Sequence, residues 1–123
     1  MKASIIIPNL NGEGWIKDSI DSCINQDFKE EYEIIIIDNG SKDRSVEIIE
    51  ECATRFKNFK IIKFRENTGF SYAVNRGIEA SDAEYAVLFN NDAFAQPDWL
   101  SQLVAVADTD ENIFSVGSLM VQH

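Results

Sequence analysis

Asn90-Asn91-Asp92 sets one carboxylate beside two amides directly after an apolar run, Glu84–Phe89. Carboxylate and amide oxygens at the end of a buried strand suit a hard divalent cation, which prefers oxygen ligands. Mg²⁺ or Mn²⁺ held through one carboxylate completes its shell with water and substrate phosphates, and a plain turn capped by Asn and Asp is the alternative. The triplet has company. Pro8-Asn9-Leu10-Asn11-Gly12-Glu13-Gly14, Asp38-Asn39-Gly40-Ser41 and Asn67-Thr68-Gly69-Phe70 each follow an apolar run and are rich in Asn, Asp or Gly. Turn chemistry explains one or two such segments; four in a series point to a single polar site.

Elements at regular spacing must carry these segments. Ser4–Pro8 and Glu33–Asp38 are continuous apolar runs, the pattern of strands covered on both faces. Phe59–Arg65 alternates more and reads as a strand nearer an edge, and Glu84–Phe89 is a fourth strand. Trp15–Gln26 has Ile16, Ile20, Cys23 and Ile24 at helical spacing. Ser41 is the expected N-cap of a helix reaching about Phe56, with Ile48, Ile49, Cys52, Ala53 and Phe56 on one face. Phe70–Ala80 reads as a helix with Ala73, Val74 and Ile78 inward. Pro97 suits the first position of a helix through about Ala107, with Leu100, Leu103, Val104 and Ala107 inward. Ile113–Met120 is a fifth apolar stretch. Strict alternation of strand and helix implies a Rossmann-like α/β fold, a mostly parallel sheet with helices on both faces. All four polar segments leave strands, so they share the carboxyl end of that sheet, where open parallel sheets bind ligands. The helix-to-strand connections, such as Lys57-Asn58 and Ser81-Asp82, are ordinary polar turns.

The 123 residues suffice for one domain with one core, and 45% apolar with 26% charged residues is ordinary for a globular chain. Eleven Lys and Arg against 21 Asp and Glu give a net charge of −10, which argues against a nucleic-acid or anionic membrane surface. The same charge repels a nucleoside diphosphate, so an anionic ligand needs a local cation. Cys23 and Cys52 fall on apolar helix faces and are expected to be buried free thiols. The first residues lack the features of a signal peptide, and no apolar run approaches a membrane span. A cytoplasmic location is therefore expected.

Two ligand classes fail on residue type. A dinucleotide fingerprint needs a third glycine where Lys17 stands, and Pro8–Asn11 delays the tight turn. A phospho-receiver domain needs an acidic pair after the first strand and an Asp after the third. This chain has Asn9 and Asn11, then Arg65-Glu66. No phosphate-binding loop of the G-x-x-x-x-G-K-[ST] type exists in the chain.

The chain resembles the family 2 glycosyltransferases, which have the GT-A nucleotide-sugar-binding fold. The stretches that carry the likeness are SIIIPNLNG from Ser4, IIIIDNGSKDRS from Ile34, NTGFSYAVNRGI from Asn67 and LFNNDA from Leu88. The NTGF and NNDA variants resemble the rhamnosyltransferase-like branch. The resemblance implies a sugar transferred, with inversion, from a UDP- or dTDP-sugar to a hydroxyl on a glycan or lipid-linked acceptor, in polysaccharide or surface-glycan synthesis. It places Pro8, Asn9 and Asn11 beside the base and ribose, with Asp38 accepting from the pyrimidine N–H. Asn67 and Gly69 would wall the base, Gly69 by letting backbone come close, and Asn75 would face the site from a helix. Asn90, Asn91 and Asp92 correspond to the D-x-D-like element: Asp92 to metal and diphosphate, Asn90 toward ribose or metal. Asn39 and Asn90 stand where the commoner pattern has acids, which leaves fewer charges for a divalent cation, Mn²⁺ or Mg²⁺.

Members of that family run well beyond this length, so residues 1–123 are expected to be the donor-binding half, with the acceptor half and its general base outside it. Asp98, Asp108, Asp110 and Glu111 read as a solvated face rather than as that base. In the longer protein, association with the inner face of the membrane is expected, and apolar surface near Ile113–Val121 is an expected self-association site. Two other classes fit parts of the pattern. A nucleotidyltransferase should show an Arg-containing loop after the first strand, which Asn9–Gly14 lacks. A non-catalytic nucleotide-sugar-binding module is consistent with the lack of a base.

Overall fold

Two isoleucine runs organise the molecule. In the computed structural model, which describes residues 1–109 and the backbone of 121–122, Ile5–Ile7 and Ile34–Ile37 are all essentially inaccessible. They lie in β1 (Ala3–Asn9) and β2 (Tyr32–Asp38), strands whose side chains are buried on both faces. Burying each such side chain contributes roughly 2 kcal/mol, so these strands must take the centre of the sheet. They do: the order is β3-β2-β1-β4, all parallel, with β3 (Phe59–Lys63) and β4 (Tyr85–Leu88) outermost among the described strands. The alternating β3 run is therefore at an edge, as expected. The register runs from Ala3 opposite Tyr32 to Asn9 opposite Asp38, and from Ala3 opposite Tyr85 to Ile6 opposite Leu88.

Helices cover both faces. Ile5, Ile7, Ile34 and Ile36 pack with Ile16, Ile20 and Cys23 of α1 (Ile16–Ile24) and Ile49 and Cys52 of α2 (Ser45–Ala53). Trp99, Leu100, Leu103 and Val104 of α4 (Trp99–Ala107) join them. Ile6, Ile35 and Ile37 face the other way, onto Ala73 of α3 (Phe70–Glu79). Gly77 lies on the same side of α3; a Cβ there would come within 2.7 Å of Ile6 and Ile37. Cys23 and Cys52 are buried free thiols, and burial raises the pKa of both.

Four local expectations need correction. Ser41 does not cap α2, which begins at Ser45; the Ser45 N–H is taken by Asp43 Oδ1 at 2.9 Å. The helix also ends at Ala53, short of Phe56, although Phe56 still packs against the core. Ile78 is 47% exposed rather than inward, because close contact of Gly77 with the sheet turns the next residue outward. Pro97 precedes the N-cap Asp98 instead of opening α4. The fifth parallel strand expected at Ile113–Met120, with its self-association surface, lies outside the described residues. A short antiparallel pair, β5 (Ala93–Phe94) with β6 (Val121–Gln122), has no counterpart in the periodicity reading. Among the described residues no helix is long and apolar enough to cross a membrane.

Candidate functional site

The strand order reverses at β1. The chain moves outward from β1 to β2 to β3, then crosses the opposite face through α3 and returns on the far side of β1 as β4. The segments leaving β1 and β4 lead to α1 and α4 on one face, the segment leaving β3 leads to α3 on the other, and a crevice opens at the carboxyl ends of the strands. A cleft of about 470 Å³ lies there, lined by Pro8, Asn9 and Leu10, by Asn39, by Asn67, Gly69 and Phe70, and by Asn90, Asn91 and Asp92. All four polar segments singled out in the sequence contribute to it.

Side-chain amides and one serine bind these segments to one another. Asn9, at the end of β1, donates from Nδ2 to Asp38 Oδ1 (3.0 Å) and Ser41 Oγ (3.3 Å), and its Oδ1 accepts from Asn91 Nδ2 at 2.8 Å. Ser41 Oγ donates to Asp38 Oδ1 (2.6 Å) and accepts the Asn11 N–H (2.9 Å), so its hydroxyl is committed to this junction. Asp38 Oδ2 takes the Ser41 N–H at 3.0 Å. A carboxylate has about four acceptor positions. The three bonds from Asn9 and Ser41 leave Asp38 with capacity for another donor, although it is buried.

Asn39 does the same for the β3–α3 segment. Its Nδ2 donates to Asn67 Oδ1 (3.0 Å) and the Gly69 carbonyl (3.1 Å), and its Oδ1 accepts from Thr68 N and Thr68 Oγ1. A carboxylate here could accept from Thr68 but could not donate to Asn67 and Gly69, whereas the Asn39 amide does both. Two glycines are dictated by backbone. Gly40 has φ +87°, and a Cβ there would lie 2.7 Å from the Glu66 backbone. Gly69 has φ +91°, but its absent side chain would meet open space, so the dihedral is what requires glycine.

The expected residues divide into three groups. Pro8, Asn9, Asn67, Gly69, Asn90, Asn91 and Asp92 line the cleft. Asp38 sits one hydrogen bond behind it, through Asn9. Asn11 and Asn75 are exposed and outside the lining. Asn11, at φ +51°, spends its Oδ1 on the Lys42 N–H at 2.8 Å, tying the β1 segment to the β2 segment. Glu13 and Asp43 extend that seam: Arg44 N donates to Glu13 Oε1, and Glu13 N donates to Asp43 Oδ2. Burial opposes the Asp43 charge, but bonds from Ser45 and from the Glu13 N–H outweigh it and hold the carboxyl below its ordinary range. Sequence reasoning left Leu10, Asn39 and Phe70 out of the lining. Leu10 and Phe70, 40% and 58% exposed, are large apolar residues at the lip, where no periodicity marks them.

Among the described residues, Asp92 is the only ionisable one in the lining, and no Lys or Arg joins it. Among the described residues no group of three His, Cys, Asp or Glu side chains could hold a metal. The donor set is one carboxylate with neighbouring amide oxygens, which fits a cation that shares its shell with phosphate and water, not a closed protein cage.

A model of the family described as Glycosyl transferase family 2 matches residues 4–122. Among curated relatives, an uncharacterised glycosyltransferase of Haemophilus influenzae is 33% identical over 117 residues, covering 95% of this chain and 36% of that protein. A poly(ribitol-phosphate) beta-glucosyltransferase of Bacillus spizizenii is 31% identical over 121 residues, covering 97% and 19%. Among solved structures, S. aureus TarS 1–349 in complex with UDP superposes with a TM-score of 0.81 at 26% identity, covering 89% of this chain and 32% of that one. The chain thus spans about a third or less of the length of these proteins.

Proposed function

Since the chain belongs to glycosyl transferase family 2, we propose that its cleft holds a nucleoside-diphosphate sugar, UDP- or dTDP-linked, whose sugar passes to a hydroxyl acceptor during glycan assembly. One observation carries this reading. Four strand-end segments meet at the switch point around a cleft whose single ionisable lining group, among the described residues, is Asp92. In this reading Asp38 keeps an acceptor for the base N–H, and Pro8, Asn9 and Asn67 border base and ribose. Gly69 leaves that wall open. Asn90 and Asp92 face the diphosphate end.

A divalent cation, Mn²⁺ or Mg²⁺, fits Asp92 and the Asn90 amide oxygen. When bound it supplies the positive charge that stabilises the diphosphate as a leaving group. The chain's own part is to hold the donor with the diphosphate beside Asp92. Asp98 and Asp108 do not line the cleft: Asp98 Oδ2 accepts from Gln102, and Asp108 Oδ1 from Lys2 and Tyr85. Donor binding is therefore assigned to the cleft residues and Asp38. Deprotonation of the acceptor, with inversion at the sugar, is assigned to a base outside the described set. Hexosyl or rhamnosyl transfer is the finer reading, on the NTGF and NNDA variants.

Calorimetric titration with UDP, dTDP, GDP and NAD, with and without Mn²⁺, tests the proposal. Binding of a pyrimidine nucleotide strengthened by Mn²⁺ is the expected result. Binding of NAD alone, or equal binding with and without metal, overturns it.

A further inference from the structure

The hydrogen bond between Asn9 and Asn91 joins the two sides of the switch point, and its direction is set by chemistry. Asn9 Nδ2 faces the Asp38 carboxylate at 3.0 Å. A carboxylate offers only acceptors, so the amide nitrogen must point there and Oδ1 must point away. Oδ1 meets Asn91 Nδ2 at 2.8 Å. A directed chain of bonds thus runs from Asp38 through Asn9 to Asn91, crossing β2, β1 and the segment after β4.

Asn91 and Asp92 are the central residues of a turn closed by the Ala93 N–H on the Asn90 carbonyl at 3.2 Å. Ser19 Oγ donates to the same carbonyl and steadies the start of the turn. Among the described residues, the bond to Asn9 is the side-chain anchor of its central pair. A second observation shows that the fold makes room for this bond. Gly12 is buried, and a Cβ on it would lie 2.6 Å from Asn91 Nδ2 and closer still to Asn9 Oδ1. Gly12 has no positive φ, so dihedral freedom does not explain it. Clearance for the amide pair does.

From this geometry we infer that Asn9, Asn91 and Gly12 form a latch that positions Asp92, so that binding at the nucleoside end and cation binding at the Asp92 end strengthen each other. The inference rests on the donor reading given above. Asn91 is then a positioning residue rather than a ligand contact, and Gly12 acts through it without touching the cleft. Coupling between two ligands is reciprocal, so it reads as the factor by which Mn²⁺ tightens UDP.

Calorimetry of the wild-type chain and of Gly12→Ala, Asn91→Ala and the double variant tests this, with UDP titrated with and without Mn²⁺. Gly12→Ala is expected to cut the Mn²⁺-dependent gain about fivefold or more while metal-free UDP affinity stays within about twofold. Asn91→Ala should cut the gain similarly. The double variant should be no worse than the single ones, because both break the same bond; independent structural damage would add. An undiminished gain in either folded variant, or losses that multiply in the double variant, overturns the latch. If Gly12→Ala does not fold, Asn91→Ala decides alone by the same criterion. A wild-type chain that shows no Mn²⁺-dependent UDP binding overturns the donor reading itself, and the latch with it.

Discussion

The two ends of the parallel sheet are both polar, but they settle their polarity differently. At the amino ends of the strands, charges meet opposite charges. Buried Glu33 accepts from Ser4 Oγ at 2.6 Å and pairs with Lys60 at 3.1 Å, while Ser4 Oγ also lies 2.6 Å from Ser81 Oγ. Lys2 reaches both Glu84 and Asp108. At the carboxyl ends, amides bond amides, and Asp92 makes no ion pair among the described residues. The first arrangement is closed and only stabilises. The second is also hydrogen-bonded throughout, but it leaves Asp38 and Asp92 without an ion pair among the described residues and keeps an open cleft. A site, on this comparison, is the end of the sheet whose polar groups are satisfied without neutralising its carboxylates.

Substitutions at the two ends should therefore separate stability from binding. Gly40→Ala should do most damage, because it forces φ +87° on alanine and drives its Cβ into the Glu66 backbone. A loss of about 3 kcal/mol is expected in urea unfolding, with weakened nucleotide binding; an unchanged midpoint would blur the contrast. Ser4→Ala, at the closed end, removes a donor from buried Glu33 and should cost about 2 kcal/mol while leaving UDP affinity unchanged. Asp92→Ala should reverse that pattern. Mn²⁺-dependent UDP affinity falls tenfold or more, about 1.4 kcal/mol, with no loss of thermal stability. Asp108→Asn is the mildest. The Tyr85 hydroxyl first, and Lys2 second, hold this carboxyl below its ordinary range. A folded-state pKa that is depressed gives stability that is present above the unfolded value and is lost as pH falls through the folded one. The variant should have a slightly lower urea midpoint above about pH 4 and a shallower fall in midpoint below it, converging with the wild type in acid.

The reading from sequence succeeded where one physical signal dominated. Continuous isoleucine runs can only be central strands, and strand-helix alternation then fixes which end each Asn- and Gly-rich segment occupies. It failed where a tertiary partner claimed the side chain. Ser41 was the expected cap, but its hydroxyl is given to the Asp38 carboxylate, and the Ser45 N–H is taken by Asp43. Asn39 was invisible as a lining residue because its importance lies in four bonds to a segment 28 to 30 positions away. Ile78 was misassigned because the packing of α3 is set by a side chain that Gly77 lacks, which no apolar pattern records. Asn11 had the right type in the right segment, yet its amide is turned to Lys42.

The place of β1 between β2 and β4 also sets when a ligand can first be held. Pairing of β1 with β2 joins residues about 29 positions apart, but Ile6 meets Leu88 across 82. Closing the larger loop is the slower and entropically dearer event. A chain emerging during synthesis can thus form its first three strands and most of its core before the floor of the cleft exists. The cleft is completed by the most distant contact, so only a molecule folded through residue 92 presents the place where a nucleotide is proposed to sit.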